Sequence, residues 1–227
     1  MNMRFIYCQT LPDIDGARAL YDLDESISDK QIAKIIFHHH TQEQGRDAAF
    51  LAPFQAMLSV VAMFEIRDFE TRLVITDIAD RSEMELLAAI APRLDGQQAL
   101  CWDDGHQLEA LIKTRALVHA ESLMDLQLQP VEEMLSLRPG DVGLVQMAGR
   151  LGITAHKTIS DESAWDVYRK EGITPLVDRC RENLLATTLV GLRKMWLADL
   201  IDEDECDELS EACRVHANNY PGESRNK

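Results

Sequence analysis

The sequence lacks long apolar runs, Cys-x-x-Cys pairs and any excess of basic charge. No stretch approaches the roughly 18 consecutive apolar residues of a membrane span, and the longest candidate, residues 48–54, contains a proline. No membrane partner is therefore expected. The opening Met-Asn-Met-Arg-Phe-Ile-Tyr-Cys has one basic residue and few apolar ones before polar Gln9, too short for a signal-peptide core, so the cytoplasm is the expected location. The five cysteines, at 8, 101, 180, 206 and 213, are odd in number and scattered, and none forms a Cys-x-x-Cys pair. That argues against a structural zinc site and for reduced thiols. Lys and Arg together number 23 against 39 Asp and Glu, a net charge of −16, which opposes nonspecific binding to phosphate chains at long range. Internal repeats and low-complexity segments are absent, and the composition excludes collagen-like and disulfide-scaffold chains.

What is present is an ordinary globular composition. Hydrophobic residues make up 46% and charged residues 27% of 227 residues, enough for one large domain. The expectation is a single domain over 1–215 and a flexible tail over 216–227. The negative charge is uneven: Asp199, Asp202, Glu203, Asp204, Glu205, Asp207, Glu208 and Glu211 lie in a stretch without Lys or Arg. Residues 169–194, by contrast, hold Arg169, Lys170, Arg179, Arg181, Arg193 and Lys194, so a local basic groove remains open.

Periodicity places a strand over 3–10, ended by Pro12, and helices over 15–22 and 29–43, the second capped by Ser28. Residues 57–66 read as a buried strand, with 69–77 as its hairpin partner. Ser82 and Glu85 form a capping box that opens a helix over 83–93. A short buried strand over 99–102 and a helix over 106–118 follow; 120–129 is ambiguous. Helices are expected near 141–150 and 161–171, then a long helical element over 174–214, broken near 199–202. This order fits an α/β layered fold.

Several local features suggest chemistry. His38, His39 and His40 would need convergent partners to hold a metal. Consecutive helical residues point about 100° apart, so a structural role is favoured. Asp103 and Asp104 follow a strand, where carboxylates bind metals, but an acidic turn before a helix also caps it. Cys180 has no nearby histidine to activate it as a nucleophile. The acidic 197–211 stretch reads as a solvated helix face. Neither Gly140-Asp-Val-Gly143 nor Gly149-Arg-Leu-Gly152 has the spacing of a phosphate loop.

Three groups of residues carry a family resemblance. The first is Phe5-Ile-Tyr-Cys-Gln-Thr-Leu-Pro-Asp13 with Phe37-His-x-x-x-Gln-x-x-Gly45. The second is Cys101-Trp102-Asp-Asp with Leu123-Met-Asp125. The third is Tyr168-Arg-x-x-Gly172 with Cys180-x-x-Asn183-Leu-Leu-x-Thr187-x-Leu189-Val-x-Leu-Arg193. In this order they resemble the predicted 3′–5′ exonucleases related to the proofreading domain of family-B DNA polymerases. These belong to the ribonuclease H-like, DEDD-type group, and the likeness spans about residues 3–210.

The resemblance implies a ribonuclease H-like α/β fold: a mixed sheet that begins as a meander, flanked by helices, with the C-terminal helix crossing beside the active cleft. It implies two-metal phosphodiester hydrolysis, in which four carboxylates hold Mg²⁺ or Mn²⁺ ions about 4 Å apart. Here the family's first Asp falls on Tyr7, its Glu on Gln9, its second-motif Asp on Gln107 and its third-motif Asp on Asn183. A tyrosine falls on Arg179 and a Glu on Arg181. The expected site keeps its shape and sheds its charge, so no catalytic residues and no metal are expected there. Arg179 and Asn183 lie four apart on a helix and share a face. Together with Arg181, Gln9 and Gln107 they form a candidate site for a phosphate, a nucleotide, single-stranded nucleic acid or a partner's carboxylate, unless the pocket is packed shut. Activity would require displaced carboxylates, drawn from Asp13, Asp103, Asp104, Asp125, Asp178 and Glu182. A third reading is a protein-interaction module that uses the acidic 197–211 segment.

Overall fold

The computed structural model describes residues 2–44, 51–94, 98–102, 105–119, 123, 125–135 and 142–220. Its centre is β1 (Asn2–Pro12), which pairs antiparallel with β2 (Ala56–Arg67); β2 pairs antiparallel with β3 (Glu70–Asp77). On its other edge β1 runs parallel to β4 (Gln98–Cys101), and β4 runs parallel to β5 (Gln127–Pro130). The five strands therefore stand in the order β3-β2-β1-β4-β5. This is an α/β architecture with a mixed sheet that opens as a meander and carries helices on both faces.

The pattern of burial explains the layers. Side chains alternate across a strand. Phe5, Tyr7 and Leu11 of β1, with Val60, Ala62, Phe64 and Ile66 of β2, enter one core; Ile6 of β1, with Leu58, Val61 and Met63 of β2, enters the other. Both central strands are thus buried on both faces, as their near-continuous apolar runs demand. The second core is closed by α1 (Ile14–Leu20), α2 (Asp29–Gln44), α3 (Glu83–Leu94) and α4 (Gly105–His119). The first is closed by the short α5 (Val131–Met134), then α6 (Leu144–Arg150), α7 (Asp161–Glu171), α8 (Thr174–Leu197) and α9 (Glu203–Asn219).

Most expected elements appear within a few residues. The ambiguous 120–129 stretch contributes β5, a strand too short for its alternation to register. The helix expected from 141 starts at Leu144, because Gly143 serves as its cap. The last helix, α9, continues past 215 to Asn219 with Ala217 buried, and residues 221–227 of the expected tail lie outside the described residues. The Ser82–Glu85 capping box forms as expected, the Ser82 N–H donating to Glu85 Oε2 at 2.8 Å and the Glu85 N–H to Ser82 Oγ at 3.3 Å. The long C-terminal helical run does break. Asp199 takes φ 56°, and the Leu200 and Asp199 N–H groups return to the Met195 and Trp196 carbonyls at 3.0 Å, the Schellman closure. Asp202 and Glu205 then form the capping box that starts α9.

Two features set the geometry. A Cβ added at Gly191 would lie 2.4 Å from Phe5 Cε1, so only glycine lets α8 lie this close to β1. On the opposite side, Arg115 of α4 is buried and joins the end of β1 to α3. Its Nη1 donates to Asp13 Oδ2 at 2.6 Å, and its Nε and Nη2 donate to Glu83 at 2.9 and 2.5 Å. Glu83 also accepts the Leu58 N–H at 2.6 Å and lies 3.0 Å from His119 Nε2. Asp13 caps α1 by accepting the Gly16 N–H at 2.9 Å. Every partner of the guanidinium is thus itself held by backbone.

Among the described residues, no helix is long and apolar enough to cross a membrane. Cys180 and Cys213 are fully buried, and burial pushes both thiols up, Cys213 to about 12.

Three outcomes follow from this packing. Arg115→Leu should lose about 3–5 kcal/mol in urea denaturation, because two buried carboxylates lose their counter-charge; Arg93→Ala, which breaks a partly exposed pair with Glu65, should lose no more than about 1 kcal/mol. In the β2–β3 turn, Phe69 sits at φ 66°, so Phe69→Gly should raise stability by about 1 kcal/mol in the same measurement. Thiol titration of native protein at mildly alkaline pH should leave Cys180 and Cys213 unmodified, and both should react once the chain is unfolded in denaturant.

Candidate functional site

The face of α8 that crosses β1 carries the residues singled out by the resemblance. Asn183 is 2% exposed and faces Tyr7, with its Nδ2 donating to the Tyr7 hydroxyl at 2.9 Å. Its Oδ1 accepts the backbone N–H of His156 at 2.7 Å. Both polar atoms of the amide are therefore committed inside the protein. Gln9 lies buried on β1, where the strand register shifts, and its Nε2 donates to the Thr10 carbonyl at 3.1 Å.

One turn back along α8, Arg179 Nη2 donates to the Lys157 carbonyl at 2.6 Å. Arg179 and Asn183 do share a helix face, as their spacing requires. What meets that face is the chain's own irregular segment between α6 and α7, gripped at the His156 N–H and the Lys157 C=O. Ile153, Ala155 and Ile159 of this segment pack against the core beneath it. The arginine is a clamp on that segment, with one of its five N–H donors engaged there.

His156 carries no local signature, and its partner lies 26 residues away on α8. Its Nε2 is 2.5 Å from Glu182 Oε2, and both side chains are about one-third exposed. Glu182 also faces Arg181 at 3.8 Å, and Arg181 pairs with Asp178 at 3.1 Å. Asp178 and Glu182, two of the carboxylates that activity would need, are thus matched by cationic or titratable groups of the same helix and segment.

The remaining candidates lie elsewhere. Gln107 stands exposed on the first turn of α4, a helix that packs into the core on the other side of the sheet from α8. Asp13 is consumed as the α1 cap and as an Arg115 partner, and Asp125 is exposed ahead of β5. Asp103 and Asp104 fall outside the described residues. Cys180 is fully buried with its thiol pushed up by burial, the opposite of an activated nucleophile. The three consecutive histidines diverge as their helical spacing demands. His38 is exposed, the His39 ring stacks on Tyr21 at 4.8 Å between centroids, and His40 is buried against Gln55.

The donor set at Tyr7, Gln9 and Asn183 is neutral, whereas a pair of hard divalent cations needs anionic oxygens. Among the described residues, no group of three or more His, Cys, Asp or Glu side chains is placed to hold a metal ion. The described residues therefore do not fit the two-metal centre that the resemblance implies. What they can do is present arginine and lysine donors beside a closed seam. Comparison with family models, curated proteins and solved structures gives no match.

The seam has a measurable energetic signature. Asn183→Leu should cost about 1–3 kcal/mol in urea denaturation, because it removes the bond to the Tyr7 hydroxyl and leaves the His156 N–H without its acceptor. Asn183→Asp should cost less than Asn183→Leu, since a carboxylate accepts from both donors.

Proposed function

We propose that this chain is a non-catalytic member of the 3′–5′ exonuclease-like group, of ribonuclease H-like fold, that acts as a binding or regulatory module. The observation that carries this reading is the state of Asn183. It stands where the resemblance expects a metal carboxylate, and its oxygen and nitrogen are both taken, by the His156 N–H and the Tyr7 hydroxyl. A charged ligand set has given way to a closed chain of neutral hydrogen bonds. The mixed sheet that opens as a meander, with a long helix across its central strand, supports the fold reading.

The ligand class favoured here is a short single strand of nucleic acid, or a nucleotide phosphate. Arg179, Arg181 and Lys157 gather at one end of α8 in a molecule otherwise strongly acidic. Guanidinium groups match phosphate oxygens in a two-point fashion. The overall charge of −16 repels polyanions at long range, so binding is short-range and confined to this face.

A second reading rests on α9. It buries Cys206, Leu209, Ser210, Cys213 and Ala217 and turns Glu203, Asp204, Asp207, Glu208 and Glu211 to solvent. That face suits a basic protein partner.

Fluorescence anisotropy with labelled single-stranded DNA and RNA tests the first reading. Native protein should bind, Arg179→Ala and Arg181→Ala should each weaken binding, and each should lower the salt slope by about one. Absent binding, or equal binding by native and variant proteins, removes the nucleic-acid ligand. Incubation of the same strands with Mn²⁺ should leave them intact; metal-dependent shortening from the 3′ end would remove the non-catalytic assignment.

A further inference from the structure

The two edges of the sheet are finished differently. At one edge β5 is four residues long, stops at Pro130, and has its Leu128 N–H taken by Glu109 Oε2 at 2.8 Å. So short and capped a strand offers little to a further strand. At the other edge β3 runs for eight residues in unbroken register with β2. It carries none of the usual guards of an edge: no proline, no lysine and no bulge. Its stretch Thr71-Arg-Leu-Val-Ile-Thr76 is rich in β-branched residues. Seven of its eight residues keep some exposure, Thr76 being the exception.

The ladder fixes which backbone groups of β3 point away from the sheet. The Ile78 N–H donates to the Ser59 carbonyl at 3.1 Å, which makes these opposite residues a hydrogen-bonded pair. In an antiparallel ladder such pairs alternate with non-bonded ones. Thr76, Val74, Arg72 and Glu70 therefore turn their N–H and C=O toward Val61, Met63, Glu65 and Arg67 of β2. Thr71, Leu73 and Ile75 turn theirs outward. Among the described residues, no hydrogen bond reaches the outward backbone groups of these three. They form a row of donors and acceptors at the spacing that another strand matches.

What flanks the row selects its occupant. Leu73 and Ile75 pack on the core that holds Cys206, Leu209 and Cys213, and α9 lies against β3 and α8. α9 is thus the helix over this edge, and it turns Glu203, Asp204, Asp207, Glu208 and Glu211 to solvent against one arginine, Arg214. Glu70 and Asp77 stand at the two ends of β3. A second copy of this chain would bring a second charge of −16 and a second acidic helix to the same place, whereas a cationic segment is attracted. We infer that the β3 edge is a docking site for an extended, lysine- or arginine-rich segment of a partner protein, which joins the five-stranded sheet beside β3. Main-chain bonds to Thr71, Leu73 and Ile75 attach it, and its alternate side chains lie on the α9 side, where long cationic groups meet the acids. The inference rests on the reading of α9 as a face for a basic partner, and adds the place and the conformation of the bound segment.

Amide hydrogen exchange of the native chain, alone and with two synthetic peptides, tests this. In one peptide Lys alternates with Val and Thr; in the other Glu replaces Lys. In the free chain the Thr71, Leu73 and Ile75 amides should exchange fast while those of Arg72 and Val74 stay protected. The Lys peptide should bind, more weakly as salt rises, and protect all three outward amides; the Glu peptide should not bind. Thr71→Pro deletes one outward donor without breaking a β2–β3 bond, and should weaken binding about fivefold or more with an unchanged circular-dichroism spectrum. If that variant does not fold, exchange in the native chain still decides. Slow exchange of the three amides in the free chain, or equal binding of the Glu peptide, overturns the inference. So does a concentration-dependent dimer that protects them, since the occupant is then a second copy. Lys-peptide binding that leaves the three amides fast but is lost with Asp207→Asn and Glu208→Gln sinks the docking site and keeps the α9 reading. Protection that survives those two substitutions keeps the docking site and sinks the α9 reading, and absent binding of the Lys peptide removes both.

Discussion

The buried guanidinium of Arg115 is the point on which the N-terminal layer hangs. Three carboxylate oxygens converge on it from two elements, and those carboxylates are in turn held by backbone N–H groups of α1 and β2. A buried ion pair of this kind contributes little net stability compared with apolar packing, but it tolerates few alternative geometries. It fixes where β1 ends, where α1 begins and how α3 and α4 lie against the sheet. The other layer is set by shape alone: α8 approaches β1 at Gly191, against the Phe5 ring, and at no other described glycine of this helix layer would an added Cβ meet another side chain so closely.

These constraints place the Tyr7–Asn183 seam. Because α8 lies so close to β1, a polar side chain at 183 must find partners within the protein. An amide manages this, since it both donates and accepts, and the Tyr7 hydroxyl and His156 N–H complete it. Four anions here would need cations to offset their desolvation. The neutral set needs none. Beyond it, Arg181 faces Asp178 and Glu182, His156 faces Glu182, and Arg179 grips the covering segment at the Lys157 carbonyl.

Much of the architecture was legible in the residue order. The alternation of β3, the continuous apolar run of β2, the Ser82–Glu85 box and the stop at 199–202 are local signals, decided within a turn or two of chain. β5 was not legible, because a four-residue strand between helices has no periodicity to detect. The pairing of Asn183 with Tyr7 has no local signal, since 176 residues separate them. The segment that covers Asn183 could not be anticipated at all. Its hold on α8 runs in part through backbone groups of His156 and Lys157, which are the same for every residue type, and in part through the His156 ring, whose partner Glu182 lies 26 residues away.

The sequence by itself determined which residues are apolar at which period, and hence the elements, their caps and the burial of both central strands. It also determined that Tyr7, Gln9 and Asn183 bring no carboxylate to the seam. Only the tertiary structure decided which polar groups satisfy one another: Arg115 with Asp13 and Glu83, His156 with Glu182, Asp161 with Thr10. Periodicity is a property of neighbouring residues, whereas a buried hydrogen bond depends on where two distant backbones come to rest.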